Sequence, residues 1–353
     1  MINAGTPRRF DYILLGSAIF LVVFGVVTLR SLAPSLFPVY FLYLVLAVFA
    51  FIIFSQIDFE ILSLFSKHLY VLSILLLLSP LFIGQITRGA IRWIPIGPLT
   101  IQPAEIVRPF LIIFFANYLT VKKIDLRKFI SALALLALPA LLILVQPSLG
   151  VAVLTVVGFI GVVLASEINK KYLLLGGVIL LVLLPLAWQI LAPYQKARII
   201  TFINPGSDPY GAGYNSLQSM ISVGSGKITG RGLGKGVQTQ LSFLPERHTD
   251  FIFASIAEEM GFVGAGLVLL GLFGVFWRVS RVISESRNFA ARACVAGIFL
   301  TLFAQTFVHI GMNMGLLPIT GVPLPLVSGG GSSLLATSIS LAVVSSCRKQ
   351  IQT

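Results

Sequence analysis

The chain has 353 residues, of which 57% are hydrophobic and 10% charged, and its mean hydropathy is +0.99. That balance excludes a water-soluble globular domain, because it leaves too little polar surface to face water. The net charge of +13 raises nucleic acid as a partner, and the placement of the basic residues has to decide.

At the start, Thr6-Pro7-Arg8-Arg9-Phe10 faintly resembles a twin-arginine signal. No small-residue cleavage site follows the first apolar run, so the arginines read as a cytoplasmic anchor. Apolar runs of membrane-spanning length then recur. They lie near Tyr12 to Leu29, Leu36 to Ser55, His68 to Ile83, Pro103 to Leu119, Phe129 to Val145, Leu149 to Ala165, Tyr172 to Leu191, Asp250 to Trp277, Phe289 to Asn313 and Val327 to Ser346. Runs this long and continuous are expected to be helices, since lipid offers the backbone no hydrogen-bond partners and the alternation of a barrel strand is missing. The predicted fold class is all-α, a polytopic membrane protein of about ten helices in one domain over residues 1–353.

With the N-terminus inside, 15 of the 25 lysines and arginines fall on the inner side. This bias predicts that both termini are cytoplasmic. The basic excess is therefore mainly topological and excludes nucleic acid as the explanation. Six of the outer cations nevertheless gather in one joint, Ala192 to Thr249, which topology does not require and an anionic ligand would. The two cysteines, Cys294 and Cys347, fall in spans or at the inner edge and provide neither a disulfide framework nor a metal-thiolate cluster.

Clusters of polar and helix-breaking residues at membrane depth mark candidate sites. The first, Gly89 to Arg108, reads as a loop carrying Arg92 and Trp93 that leads into a helix opened by Pro103. Glu105 and Arg108, three apart, share a face of that helix. They are either an ion pair that lets two charges enter the bundle or the lining of a polar cavity open to the outer leaflet.

The second cluster is the long joint itself, residues 192–249, whose aromatic and aliphatic content argues for order. Its series GSGKITGRGLGKG fails as a Walker A motif, because Ile221 stands where the first glycine belongs and Ile228 replaces the Ser or Thr after the lysine. What remains is a glycine-rich segment with Lys227, Arg231 and Lys235 that either holds a phosphate through its amides and cations or is a flexible hairpin with solvated charges. Composition alone favours the hairpin.

The third cluster, PLPLVSGGGSS from Pro323 to Ser333, opens the last span, and its glycines suit close helix packing or backbone approach to a ligand. Asp250, after His248 and Thr249, falls where the long joint becomes a helix. It serves either as an aspartate favoured by the helix dipole or as a general base beside a basic loop. Glu258 and Glu259 lie about two turns deeper, where no capping role explains them.

Five stretches, GAIRW, QPAEIVR, INPGSDPYGAGYNSLQS, LPERHTDFIFASIAEEMG and GVPLPLVSGGGSS, resemble the SEDS family in order and spacing over nearly the whole chain. These are the polytopic peptidoglycan glycosyltransferases of elongation, division and sporulation. LPERHTDFIFA looks like the elongation (RodA) branch. The chain departs from the family pattern at Arg108, where many members have lysine, and at SGGG, where serine-tyrosine-glycine-glycine is commoner.

The resemblance implies that Asp250 is the catalytic aspartate. It further implies that Glu105 and Arg108 are the polar pair of a central cavity, with Arg198, Gln218, Lys235, Arg92 and His248 as substrate-binding or cavity residues. It implies lipid II as donor and acceptor, and a class B penicillin-binding protein whose transpeptidase crosslinks the product. The implied reaction is an inverting transfer from an α-linked lipid diphosphate to a sugar 4-hydroxyl, with Asp250 as base and Arg198, Lys235 and Arg108 stabilising the leaving diphosphate. A divalent cation, magnesium or manganese, is expected to share that task, and the sequence places no ligands for it. The competing expectations are a transporter that flips lipid II along Glu105, Arg108, Glu258 and Glu259, and a non-enzymatic scaffold, which leaves the polar outer cluster unexplained.

Overall fold

A computed structural model describes residues 11–87, 90–121, 124–204, 211 and 213–349. Each expected span coincides with a helix: α1 (Tyr12–Leu32), α2 (Phe37–Gln56), α4 (Ser66–Ile83), α5 (Pro103–Thr120), α6 (Leu126–Val145), α7 (Leu149–Ala165), α8 (Lys170–Ile190), α12 (Ile252–Glu285), α13 (Phe289–Asn313) and α14 (Gly331–Lys349). A short α3 (Phe59–Leu64) joins α2 to α4. Among the described residues, six helices are long and apolar enough to cross a membrane on length and composition alone. The chain is a multi-pass membrane protein. Helices α5 and α14 are too polar in composition for that set, and they are buried along most of their length, where neighbouring helices rather than lipid surround their polar residues.

Helix α5 is the axis of the bundle. It packs on α4, α7, α13 and α14, and its residues from Pro103 to Ala116 are buried apart from Ile106. Pro103 at its first turn needs no amide partner, and Glu105 sits in that same turn. Tyr70, Phe114, Phe115 and Phe159 interlock α4, α5 and α7 through tilted and edge-on ring contacts. At the end of the bundle where α1 begins and α14 ends, Asp11 caps α1 and binds Arg278 of α12 and Arg348 of α14, so that one buried carboxylate joins three helices.

The stretch before α5 is not a loop. It is a three-stranded antiparallel sheet, β1 (Gln85–Thr87), β2 (Ala90–Ile96) and β3 (Leu99–Ile101), in which Ile94 faces Ile101 and Ile96 faces Leu99. Gly97, at φ +59°, makes the tight turn. The sheet satisfies backbone groups that would otherwise be orphaned beside the bundle, and α2 anchors it: the Tyr43 hydroxyl donates to Thr100 O at 2.8 Å and accepts from Thr100 N at 2.7 Å.

The long joint is ordered into α9 (Pro193–Ile203), α10 (Tyr214–Ser225) and α11 (Val237–Gln240). The stretch from Pro205 to Tyr210 of the INPGSDPYGAGYNSLQS motif lies outside the described residues. Its glycine-rich part is neither a phosphate nest nor a free hairpin. It is laid against a break in α12 at Gly261 (φ 64°, ψ −160°). Arg231 N and Gly232 N donate to Glu258 O and Glu259 O, both at 2.9 Å, and Phe262 N and Val263 N donate back to Lys227 O and Ile228 O. A side chain on Gly226, Gly230 or Gly261 would collide with the partner backbone, so these glycines serve main-chain packing.

A polar cavity as candidate active site

A cavity of about 370 Å³ opens where six parts of the chain meet above the start of α5. Arg92 and Trp93 come from β2, Gln102 and Glu105 from the entry to α5, and Ser148 from the entry to α7. Gln195 and Arg198 come from α9. Asp250 comes from the turn before α12, and Thr320, Gly321 and Pro323 from the segment between α13 and α14.

Four of the expected site residues, Asp250, Glu105, Arg92 and Arg198, share this wall. Arg92 and Asp250 are charged neighbours of the Glu105 carboxylate, together with Arg108 below. A methyl group placed on Gly321 would stand 3.4 Å from Asp250 Oδ2 and 4.0 Å from Arg198 Nη1, so acid and cation flank one glycine. Arg198 Nη1 also donates to Ile319 O at 3.3 Å, and Arg92 Nη1 to Pro147 O at 3.4 Å.

Asp250 is not a helix cap. Helix α12 begins at Ile252, its N-cap is Phe251, and Asp250 lies in the preceding turn. That turn is fixed from three directions. Ser328 Oγ donates to Thr249 O at 2.8 Å, Gly329 N donates to His248 O at 2.9 Å, and Asn313 Nδ2 donates to Asp250 O at 3.0 Å. Asn313 Oδ1 accepts Ala254 N at 2.9 Å, tying the turn to the first residues of α12. The SGGG departure thus has a local reason: a side chain at Gly329 would press on His248 O and Leu29.

The remaining expected residues do not line this cavity. Arg108 lies one turn deeper, and the ion pair suggested by its spacing from Glu105 is not formed. Its Nη1 donates to Gln305 Oε1 at 3.1 Å, and its Nε reaches only the main-chain oxygen of Glu105, at 3.5 Å. Gln305, fully buried, then donates to Pro323 O at 2.9 Å and Ser333 Oγ at 3.2 Å, so Arg108 supports the cavity floor through α13. His248 contributes its main-chain carbonyl, Gln218 sits half-buried in α10, and Lys235 is exposed on the glycine-rich segment.

Glu258 and Glu259 form no path for a headgroup. Glu258 accepts Gln238 N and Thr239 N at 2.9 and 3.0 Å, and Glu259 accepts Ser31 Oγ and Gln240 Nε2 at 2.9 and 2.7 Å. Their carboxylates hold α11 and the glycine-rich segment in place.

The sequence reading missed Gln305 and Asn313. Their signal was available: with His309 they stand at i, i+4 and i+8 on one face of a mainly apolar helix, all three fully buried. No group of three or more metal-binding side chains occurs among the described residues. Asp250 and Glu105 are the two carboxylates facing the cavity, and a magnesium-type ion is commonly held by one or two carboxylates plus phosphate oxygens.

Residues 20–353 match the FtsW/RodA/SpoVE family of cell cycle proteins. The chain belongs to this family. It is 38% identical over 300 residues to the peptidoglycan glycosyltransferase MrdB of Escherichia coli K12, covering 84% of this chain and 80% of that one. It is equally 38% identical over 314 residues to a probable peptidoglycan glycosyltransferase FtsW of Escherichia coli O6:H1, covering 86% and 74%. Overall identity therefore does not separate the branches of the family. Among solved structures, a chain of a peptidoglycan synthase complex that coordinates polymerization and crosslinking superimposes with a TM-score of 0.85 at 29% identity, over 97% of this chain and 98% of that one. The rod shape determining protein RodA of Thermus thermophilus gives 0.74 at 26% identity, over 98% of each.

Proposed function

We propose that this protein is a peptidoglycan glycosyltransferase of the elongation type, which polymerises lipid II at the outer face of the cytoplasmic membrane. The observation that carries the reading is the meeting of Asp250, Glu105, Arg92 and Arg198 in one cavity, in a chain similar over most of its length to named glycosyltransferases. The elongation assignment rests on the LPERHTDFIFA stretch.

In this reading Asp250 takes the proton of the acceptor 4-hydroxyl as its oxygen attacks the anomeric carbon of the donor. The bond to the lipid diphosphate breaks, its electron pair leaves with the phosphate oxygen, and the configuration inverts. One base suffices. Arg198 and Arg92 face the negative charge that grows on the diphosphate, and their guanidinium groups suit phosphate oxygens. A divalent cation, magnesium or manganese, would be held by Asp250 and Glu105 and would add further charge neutralisation at the leaving group.

The chain acts as one membrane domain whose joint 192–249 is extracytoplasmic and whose termini are cytoplasmic. The distribution of cations supports this orientation. A thiol reagent applied to intact cells should label Ile203→Cys, since Ile203 is 77% exposed and both native cysteines are buried. Labelling only after permeabilisation would reverse the topology. A class B penicillin-binding protein with a crosslinking transpeptidase is the proposed partner, supported by the match to the synthase complex.

The deciding experiment gives purified lipid II to the purified protein, alone and with the transpeptidase. Glycan polymer in either case establishes the enzyme. Lipid II moved across vesicles without polymer would replace it with a transporter.

A further inference from the structure

The glycine-rich segment plays no part in the cavity, yet it displays three exposed cations within nine residues, Lys227, Arg231 and Lys235. Its level is set by two anchors. It pairs with α12 at Gly261 to Val263, and Gly234 approaches Ser31 at the outer end of α1. Below this level the lipid-facing residues of α12 run from Phe262, 73% exposed, to Trp277, a rise of about 22 Å. That rise spans most of a hydrocarbon core of about 30 Å, and the segment lies at one end of it, toward the headgroups.

At that end Lys227, Arg231 and Lys235 are exposed, and Arg30, next to Ser31, joins them. Between the cations Ile228 is 69% exposed and Leu233 49%, and Leu241, six residues after Lys235, is 63% exposed. Water alone does not account for such interleaving, whereas an interface that is apolar on one side and anionic on the other does. The two acids packed against the segment do not face the cations at the surface: Glu258 and Glu259 are buried and bound by main-chain amides and by Gln240 and Ser31.

We infer that residues 227–241, with Arg30, form a binding surface for anionic phospholipid headgroups of the outer leaflet, in which Ile228, Leu233 and Leu241 dip into the acyl boundary and the cations bind phosphate. The surface seats the outer joint on the membrane beside the catalytic turn. It is independent of the glycosyltransferase chemistry and rests on the topology proposed above, in which residues 192–249 are extracytoplasmic.

The test uses the full chain in phosphatidylcholine vesicles carrying trace spin-labelled phosphatidylglycerol or spin-labelled phosphatidylcholine. The motionally restricted fraction at the protein surface should favour phosphatidylglycerol, and rising salt should weaken that preference. Replacing Lys227, Arg231 and Lys235 together by Gln should reduce the preference by up to about fivefold per cation, while Lys227→Arg, Arg231→Lys and Lys235→Arg together should retain it. Equal preference in the wild type and the Gln variant would overturn the inference. So would a wild-type preference that salt leaves unchanged, a readout that holds even where the Gln variant fails to fold. Displacement of labelled phosphatidylglycerol by stoichiometric lipid II would reassign the surface to the substrate. Retained lipid preference with lost copurification of the transpeptidase would reassign it to a protein.

Discussion

Asn313 donates its side-chain amide to the main-chain carbonyl of Asp250 at 3.0 Å, while its carbonyl oxygen accepts Ala254 N. A fully buried side chain on α13 thus holds both ends of the turn that presents the proposed base. Asn313→Leu fills similar space and removes both bonds, leaving one buried N–H and one carbonyl unsatisfied at about 1–3 kcal/mol each. A shifted carboxylate also misplaces the attack, so polymer formation should fall by roughly ten- to a hundredfold with the protein still folded. Lipid II polymerisation measured beside thermal stability checks this. Normal activity in folded protein would show that the turn positions itself.

Asp250→Asn preserves size and removes the base. Because Asp250 is not the cap of α12, the change should remove no helix cap, and in the folded variant it should lower the rate roughly a hundred- to ten-thousandfold. Near-normal polymer formation by the variant would move the base to another residue, and Glu105 would be examined next.

Arg108 and Gln305 form the coupled pair at the cavity floor. In a double-mutant cycle between Arg108→Met and Gln305→Leu, stability should show a coupling of about 0.5–3 kcal/mol. Additive losses would mean that the guanidinium is satisfied by other groups.

Glu258→Ala removes the acceptor of two main-chain amides at α11 and should lower the melting temperature, with phosphate chemistry unaffected in whatever protein remains folded. If instead lipid II transport were lost while melting stayed constant, the transporter reading would regain its path.

At Gly261 the backbone occupies a region accessible essentially to glycine alone, and an added methyl would also press on Ile228. Gly261→Ala should therefore destabilise the protein by about 1–3 kcal/mol or more, whereas Gly266→Ala on the same helix, with open space around it, should not. Equal melting temperatures for the two variants would contradict the packing assigned to the glycine-rich segment.

The sequence by itself determined the spans and much of the cavity wall. A helix is the one economical way to carry an apolar run through lipid, and ionisable residues such as Glu105 and Asp250 stand out in an apolar chain because they are costly there unless they have a use. Even the polar face of α13 was legible as a repeat of four. Only the tertiary structure decided which partners those residues take. Spacing placed Glu105 and Arg108 on one face, but whether the guanidinium meets that carboxylate or Gln305 depends on how α13 packs against α5. The glycine-rich segment carried cations suited to phosphate, but its position against Gly261 took Lys235 away from the cavity. Asn313 and Asp250 are separated by 63 residues, and contacts at such separation are fixed by the mutual packing of whole helices, which no local pattern encodes.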